Sequence, residues 1–247
     1  KKNLEKIWYD IVMDIKGKKI VLFGGTSGIG LSCAKTMAEK NAQVIYSISR
    51  NPEKSDFKKD NIVYKKIDVL NEADLKSFFD ELGSYDILIN TATGGERAIG
   101  PFEDMDLQGY RNSFRKLWGY TNSVRYGLKN LSKDGCIVLV SGSPARKCKS
   151  GQIALASVGG AVEAFSKSLA PEIKPIRINV VSPGVIDTPM VPLKGEERIK
   201  LYNNMTKDNL IPRAGKPEEV AQAIIFSIEN EFITGTTIDV DGGWLTS

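Results

Sequence analysis

Short apolar runs alternate with longer amphipathic stretches along almost the whole chain. The runs at 19–23, 43–48, 62–65, 86–89, 136–141, 176–181 and 237–240 are rich in Val, Ile and Leu and nearly continuous. Such runs predict strands covered on both faces rather than strands with one wet side. Between them, 28–40, 72–82, 104–130, 152–172 and 217–228 repeat apolar residues at helical spacing. The expected fold is therefore α/β: a single doubly wound, Rossmann-type parallel sheet with helices on both faces. No repeat or low-complexity linker divides the chain, so residues 13–247 read as one domain. Met13 opens a segment that resembles a natural start, which makes residues 1–12 an expected extension. The spacing of Leu4, Ile7, Trp8 and Ile11 predicts a short amphipathic helix there. One stretch, 185–215, breaks the alternation with Pro189, Pro192, Gly195, Pro212 and Gly215, and is the candidate for a mobile lid.

Composition narrows the chemistry. The formal charge is +4, with acidic residues interspersed among the basic ones, which argues against nucleic acid or a membrane surface as partner. No apolar run reaches bilayer length. The three cysteines, Cys33, Cys136 and Cys148, lack metal-ligand spacing, so no metal is expected and a reducing cytoplasm is the expected location. Histidine is absent altogether. That removes imidazole as base, shuttle or ligand, and with it Ser-His-Asp hydrolysis, Cys-His chemistry and most zinc sites.

What remains points to a nucleotide. After the first apolar run come Gly24, Gly28 and Gly30, within the turn that also holds Thr26, Ser27 and Ile29. Glycine lets a backbone turn tightly and approach a pyrophosphate, which then meets the positive end of the following helix. A glycine turn placed between a strand and a helix is far more specific than one found alone. The second strand ends in Ser49 and Arg50, without the acidic residue that would hold the ribose hydroxyls of NAD. Arg50 offers a planar, permanently charged fork for a 2′-phosphate, so NADP(H) is the favoured cofactor. A solvated loop cation is the plainer reading of Arg50. Asp68 and Val69, after the third strand, are placed to meet an adenine ring. Asn90 and Ala92 end the fourth strand, where ligands gather in sheets of this kind.

These segments, together with Val181-Ser182-Pro183-Gly184, Ile233-Thr234-Gly235 and Val240-Asp241-Gly242-Gly243, resemble the short-chain dehydrogenase/reductase family, and within it the 3-oxoacyl-carrier-protein reductases. The resemblance runs over residues 15–245. It implies that Pro183, Gly184, Ile186 and Thr188 face the nicotinamide end of the cofactor. It also implies a homodimer or homotetramer formed through the helices at 104–130 and 152–172, and a small-molecule substrate with a carbonyl or acyl group.

The resemblance also implies an Asn, Ser, Tyr and Lys active site, in which Tyr moves the proton and Lys lowers its pKa. Phe165-Ser166-Lys167-Ser168-Leu169-Ala170 matches the family's text after its Tyr-x-x-x-Lys segment, and counting back puts Tyr at Leu155 and Lys at Gly159. The Asn falls at Lys116 and the Ser at Gly142, flanked by Ser141 and Ser143. Smaller departures are Phe23, where the family usually has Thr, and Asn90-Thr91-Ala92-Thr93 in place of Asn-Asn-Ala-Gly. Three readings stay open: a rebuilt active site using Lys116, Ser141 and Ser143; cofactor chemistry that asks little of the protein; or an inert NADP-binding sensor, scaffold or partner subunit. Polyketide-synthase ketoreductase domains carry a Lys on the same helix but keep the Tyr. Tyr120, one turn from Lys116, is a substitute phenol or a packing residue. Arg146, Lys147 and Lys149 after Ser143, and Glu96 and Arg97 after Asn90, are either ligand contacts or solvated loop charges. Trp118 reads as helix-interface packing.

Overall fold

The computed structural model describes residues 13–93 and 97–247. The expected 1–12 helix and Glu96 lie outside them. Seven strands form one sheet: β1 (Lys19–Phe23), β2 (Val44–Ser49), β3 (Ile62–Lys66), β4 (Tyr85–Asn90), β5 (Leu131–Val140), β6 (Arg177–Pro183) and β7 (Thr237–Val240). Their order is β3-β2-β1-β4-β5-β6-β7, and every pairing is parallel. The order reverses between β1 and β4, which creates the switch point where such sheets open a crevice.

Side chains alternate across the sheet with the two-residue period of a strand. Ile20, Leu22, Ile87, Ile89, Val138 and Val140 face one layer, made by α1 (Gly28–Glu39) and α7 (Pro217–Glu229). Val21, Phe23, Leu88, Ile137 and Leu139 face the other. That second layer holds α2 (Glu72–Leu82), α4 (Arg115–Gly127) and α5 (Ile153–Leu169). Burial on both faces explains why the strands read as continuous apolar runs.

Three segments differ from expectation. The helix expected over 104–130 is two: α3 (Leu107–Ser113) begins where the Asp106 side chain accepts from the backbone N–H of Gln108 and Gly109, and it stops at Phe114, before α4. Asp106 is thus an N-cap, and the residues before it form a separate short turn. β5 starts five residues before the expected 136, because its polar opening, Ser132–Asp134, conceals the strand signal. The 185–215 stretch contains a helix, α6 (Gly195–Thr206), and is pinned at its base by the bridge between Ile186 and Gly215. Only Tyr202 and Thr206 of α6 are buried, so its apolar periodicity is too weak to read. No helix among the described residues is long and apolar enough to cross a membrane.

Candidate functional site

The register aligns the C-terminal ends of the central strands: Phe23 pairs with Ile48 and Asn90, and Asn90 with Leu139. Above them opens a cleft of about 380 Å³, a size typical of small-molecule sites. Its outer end is lined by Gly24, Thr26, Ser27, Gly28, Ile29, Gly30, Ser49, Arg50, Asp68 and Val69. Ala92, Lys116, Ser141, Pro183 and Thr188 line it toward the inner end.

The outer end is built from backbone. Gly24 has φ +81°, a left-handed conformation that disfavours a side chain, and its N–H bonds the carbonyl of Ile48. A Cβ on Gly30 would lie far inside contact with the Gly24 carbonyl oxygen, so α1 packs against the turn only because Gly30 lacks a side chain; a Cβ on Gly24 would meet Thr91 and Ala92 after β4. Ser27 caps α1 without a side-chain hydrogen bond, and the first turn carries no acidic residue. Its N–H groups and the positive pole of the helix therefore face the cleft uncompensated, which suits a phosphate.

The inner end is built from side chains. Lys116 rises from the first turn of α4, its Nζ donating to the Ser141 carbonyl at 3.0 Å and lying 5.5 Å from the Tyr120 ring centroid. The residue is half-buried. Burial, reinforced by the nearby Arg97 guanidinium, lowers the Lys116 amine from its ordinary 10.5 to about 7. Tyr120 is fully buried and donates to the Val140 carbonyl at 3.1 Å, and burial pushes its phenol well up. It packs and braces β5 rather than facing the cleft.

Ser141 turns its hydroxyl away from Lys116, donating to Glu163 on α5 at 2.9 Å. Glu163 is also 3.4 Å from Arg146, whose Nη1 donates to Asp239 of β7 at 2.9 Å. A chain of polar contacts thus runs from the last strand to the carbonyl that orients Lys116. Gly159, one turn before Glu163, lies against the loop after β5: a Cβ there would meet the Ala145 Cβ at 2.9 Å. Leu155 is half-buried and does not line the cleft.

Several expected site residues sit elsewhere. Asn90 is fully buried; its Nδ2 donates to Ser123 Oγ and its Oδ1 accepts from the Ala92 N–H, so it shapes the turn from behind. Ser143 is buried at the start of the short helical turn Ser143–Ala145, away from the cleft wall. Gly184 packs against the backbone of Asp241, and Ile186 packs on the sheet core beside Gly215. Lys147 and Lys149 do not line the cleft: Lys147 is half-buried and Lys149 exposed, and their amines lie 4.3 and 4.6 Å from the Trp244 ring centroid, closing the loop onto the C-terminal turn. Trp118 is 58% exposed on this chain.

Lining residues that motif reading missed include Asn51 and Lys54 after β2, Thr91 and Thr93 after β4, and Pro189 and Met190 beyond β6. Lys54 had a signal, since it follows Arg50 by four residues in the same loop. Met190 had none. No cluster of metal-ligating side chains occurs among the described residues.

A glycine-walled cleft at the switch point of a seven-stranded parallel sheet defines a Rossmann-like protein, and the chain belongs to the short-chain dehydrogenase/reductase family. The family model described as enoyl-(acyl carrier protein) reductase matches residues 24–245. Mouse (Mus musculus) 3-oxoacyl-[acyl-carrier-protein] reductase is 34% identical over 240 residues, covering 92% of this chain and 97% of that protein. Carbonyl reductase family member 4 of Danio rerio is 30% identical over 238 residues, covering 90% and 96%. A small-chain dehydrogenase solved in complex with NADPH superposes with TM-score 0.79 at 28% identity, over 94% of this chain and all of that one. Thermoplasma acidophilum aldohexose dehydrogenase, in ligand-free form, gives 0.83 at 28%, over 95% and 96%.

Proposed function

We propose that this chain is an NADP(H)-dependent oxidoreductase acting on a small carbonyl or acyl-type substrate, with Lys116 as general acid in place of the family's Tyr-x-x-x-Lys pair. The observation that carries the proposal is the Lys116 amine, fixed at the inner end of a cleft whose outer end suits a nucleotide phosphate, with a pKa of about 7. A group that titrates near neutrality is matched to donating and regaining a proton there.

The cleft fits the cofactor. The first turn of α1 has free N–H groups and no acid, and Gly24 and Gly30 leave no room for a methyl group, which keeps the turn tight beside the helix terminus. In this reading the turn from Gly24 to Gly30 holds the pyrophosphate, while Ser49, Arg50 and Lys54 hold the 2′-phosphate. Asp68 and Val69 flank the adenine; Pro183 and Thr188 flank the nicotinamide end. NADPH, when bound, supplies the hydride that reduces the carbonyl carbon. Lys116, as an ammonium, gives the carbonyl oxygen its proton and is reprotonated from solvent through the cleft. Ser141, held by Glu163, keeps its carbonyl on the Lys116 amine and so aims it. Self-association through α4 and α5, where Trp118 stands exposed, belongs to the same reading, as does a cytoplasmic location.

Leu155 and Gly159 give the inert NADP-binding reading its support, since neither can transfer a proton. Two measurements decide. NADPH fluorescence titration should show binding tighter than NADH, and Arg50→Ala should weaken NADPH by roughly tenfold while sparing NADH. Absence of NADPH binding sinks both readings. Stereospecific transfer of deuterium from labelled NADPH to any of a panel of carbonyl compounds eliminates the inert one.

A further inference from the structure

The charges lining the cleft are unevenly placed. At its outer end Arg50 and Lys54 lie with Asp68, the one acidic residue among the described lining residues. The inner end holds Lys116 and, from the exposed segment after β4, Arg97, with no acid among the described lining residues. Among the described residues neither forms an ion pair: Lys116 bonds a backbone carbonyl, and Arg97 contacts the Met190 sulfur at 3.6 Å. Two cationic groups thus line one pocket with no acidic partner among the described residues, and Arg97 itself helps depress the Lys116 amine. Uncompensated like charges are unfavourable, and a bound anion relieves them.

We propose that the substrate is an oxo acid whose carboxylate is held by Arg97 and Lys116 at the inner end of the cleft. The proposal rests on the reductase reading and adds the substrate class to it. The phosphates of a dinucleotide have their own partners at the outer end, namely the N-terminus of α1 and the Arg50 and Lys54 pair. A guanidinium presents a planar fork that pairs with carboxylate through two hydrogen bonds. The arrangement couples binding to chemistry: a carboxylate beside the Lys116 amine favours its ammonium form, so the proton donor is charged as the substrate arrives.

The test compares pyruvate, acetoacetate and levulinate with their methyl esters, which keep the carbonyl and lose the charge. NADPH oxidation should favour at least one acid over its ester in kcat/KM. Arg97→Gln should cut that acid-to-ester ratio roughly tenfold or more, and Arg97→Lys should recover part of it. Turnover that prefers the esters, or a ratio unmoved by Arg97→Gln, overturns the carboxylate site and leaves the reductase standing. If no compound is reduced, calorimetric titration of the three acids into the NADP⁺-loaded protein decides. Binding that Arg97→Gln abolishes upholds the anion site and leaves the reductase reading to the deuterium-transfer panel; no binding, or binding unmoved by Arg97→Gln, overturns the site.

Discussion

The two ends of the cleft are made of different material. The outer end is main chain: two glycines without room for a methyl group and a helix terminus with open N–H groups. The inner end is side chain: a lysine aimed by a carbonyl, a serine held by a glutamate, a glutamate held by an arginine. A backbone site has one solution, because φ angles and close approaches leave little choice of residue. A side-chain site has many, since the same proton can come from differently placed groups. A change of residues is therefore cheaper at the inner end than at the outer one.

Substitutions should expose this difference, the largest effect coming from the backbone end. Gly30→Val forces a side chain into the Gly24 carbonyl. Urea denaturation should show a loss of roughly 3 kcal/mol, and fluorescence titration no measurable NADPH binding. Retained binding would mean that the turn is not rigid, and the contrast would fail.

Next comes Lys116→Met. Removal of a general acid costs on the order of a hundredfold or more in kcat/KM, with NADPH affinity nearly unchanged. The wild-type rate of carbonyl reduction should fall as pH rises through about 7, where the ammonium is lost, and the variant should lose that dependence. Stability moves the opposite way. The folded amine titrates near 7 and an unfolded lysine near 10.5, so between those values the unfolded chain binds more protons. Wild-type stability should therefore rise with pH across that window, and Lys116→Met should flatten the rise. Parallel curves for the two proteins would place the amine in ordinary solvent.

The smallest effect is expected from Glu163→Gln. An amide still accepts from Ser141 but no longer pairs electrostatically with Arg146, so a loss of about 1 kcal/mol in stability and a few-fold fall in kcat are expected. A KM change without a kcat change would detach Glu163 from the positioning of Lys116.

The same contrast explains what could be read in advance. Strands buried on both faces announce themselves, and so does a glycine turn between strand and helix. Asp106 did not, because a cap accepting from Gln108 and Gly109 ends one element and starts another without altering the apolar pattern. The early half of β5 was hidden by Lys133 and Asp134, which are exposed. At the inner end, the register named Lys116 and Ser141 but not their geometry. That the Ser141 hydroxyl faces Glu163, twenty-two residues on, depends on helix packing that no local spacing encodes. Asn90 was misplaced for the complementary reason: its position at the strand end suggested the cleft, whereas its partner, Ser123, lies behind the sheet.

Gly159 carries a last consequence, for what this corner of the molecule will accept. The loop after β5 lies within 2.9 Å of where a Cβ on Gly159 would stand, so any side chain there meets Ala145 first. Arg146 is carried by the same loop and pairs with Glu163, so a larger residue at 159 disturbs that contact as well.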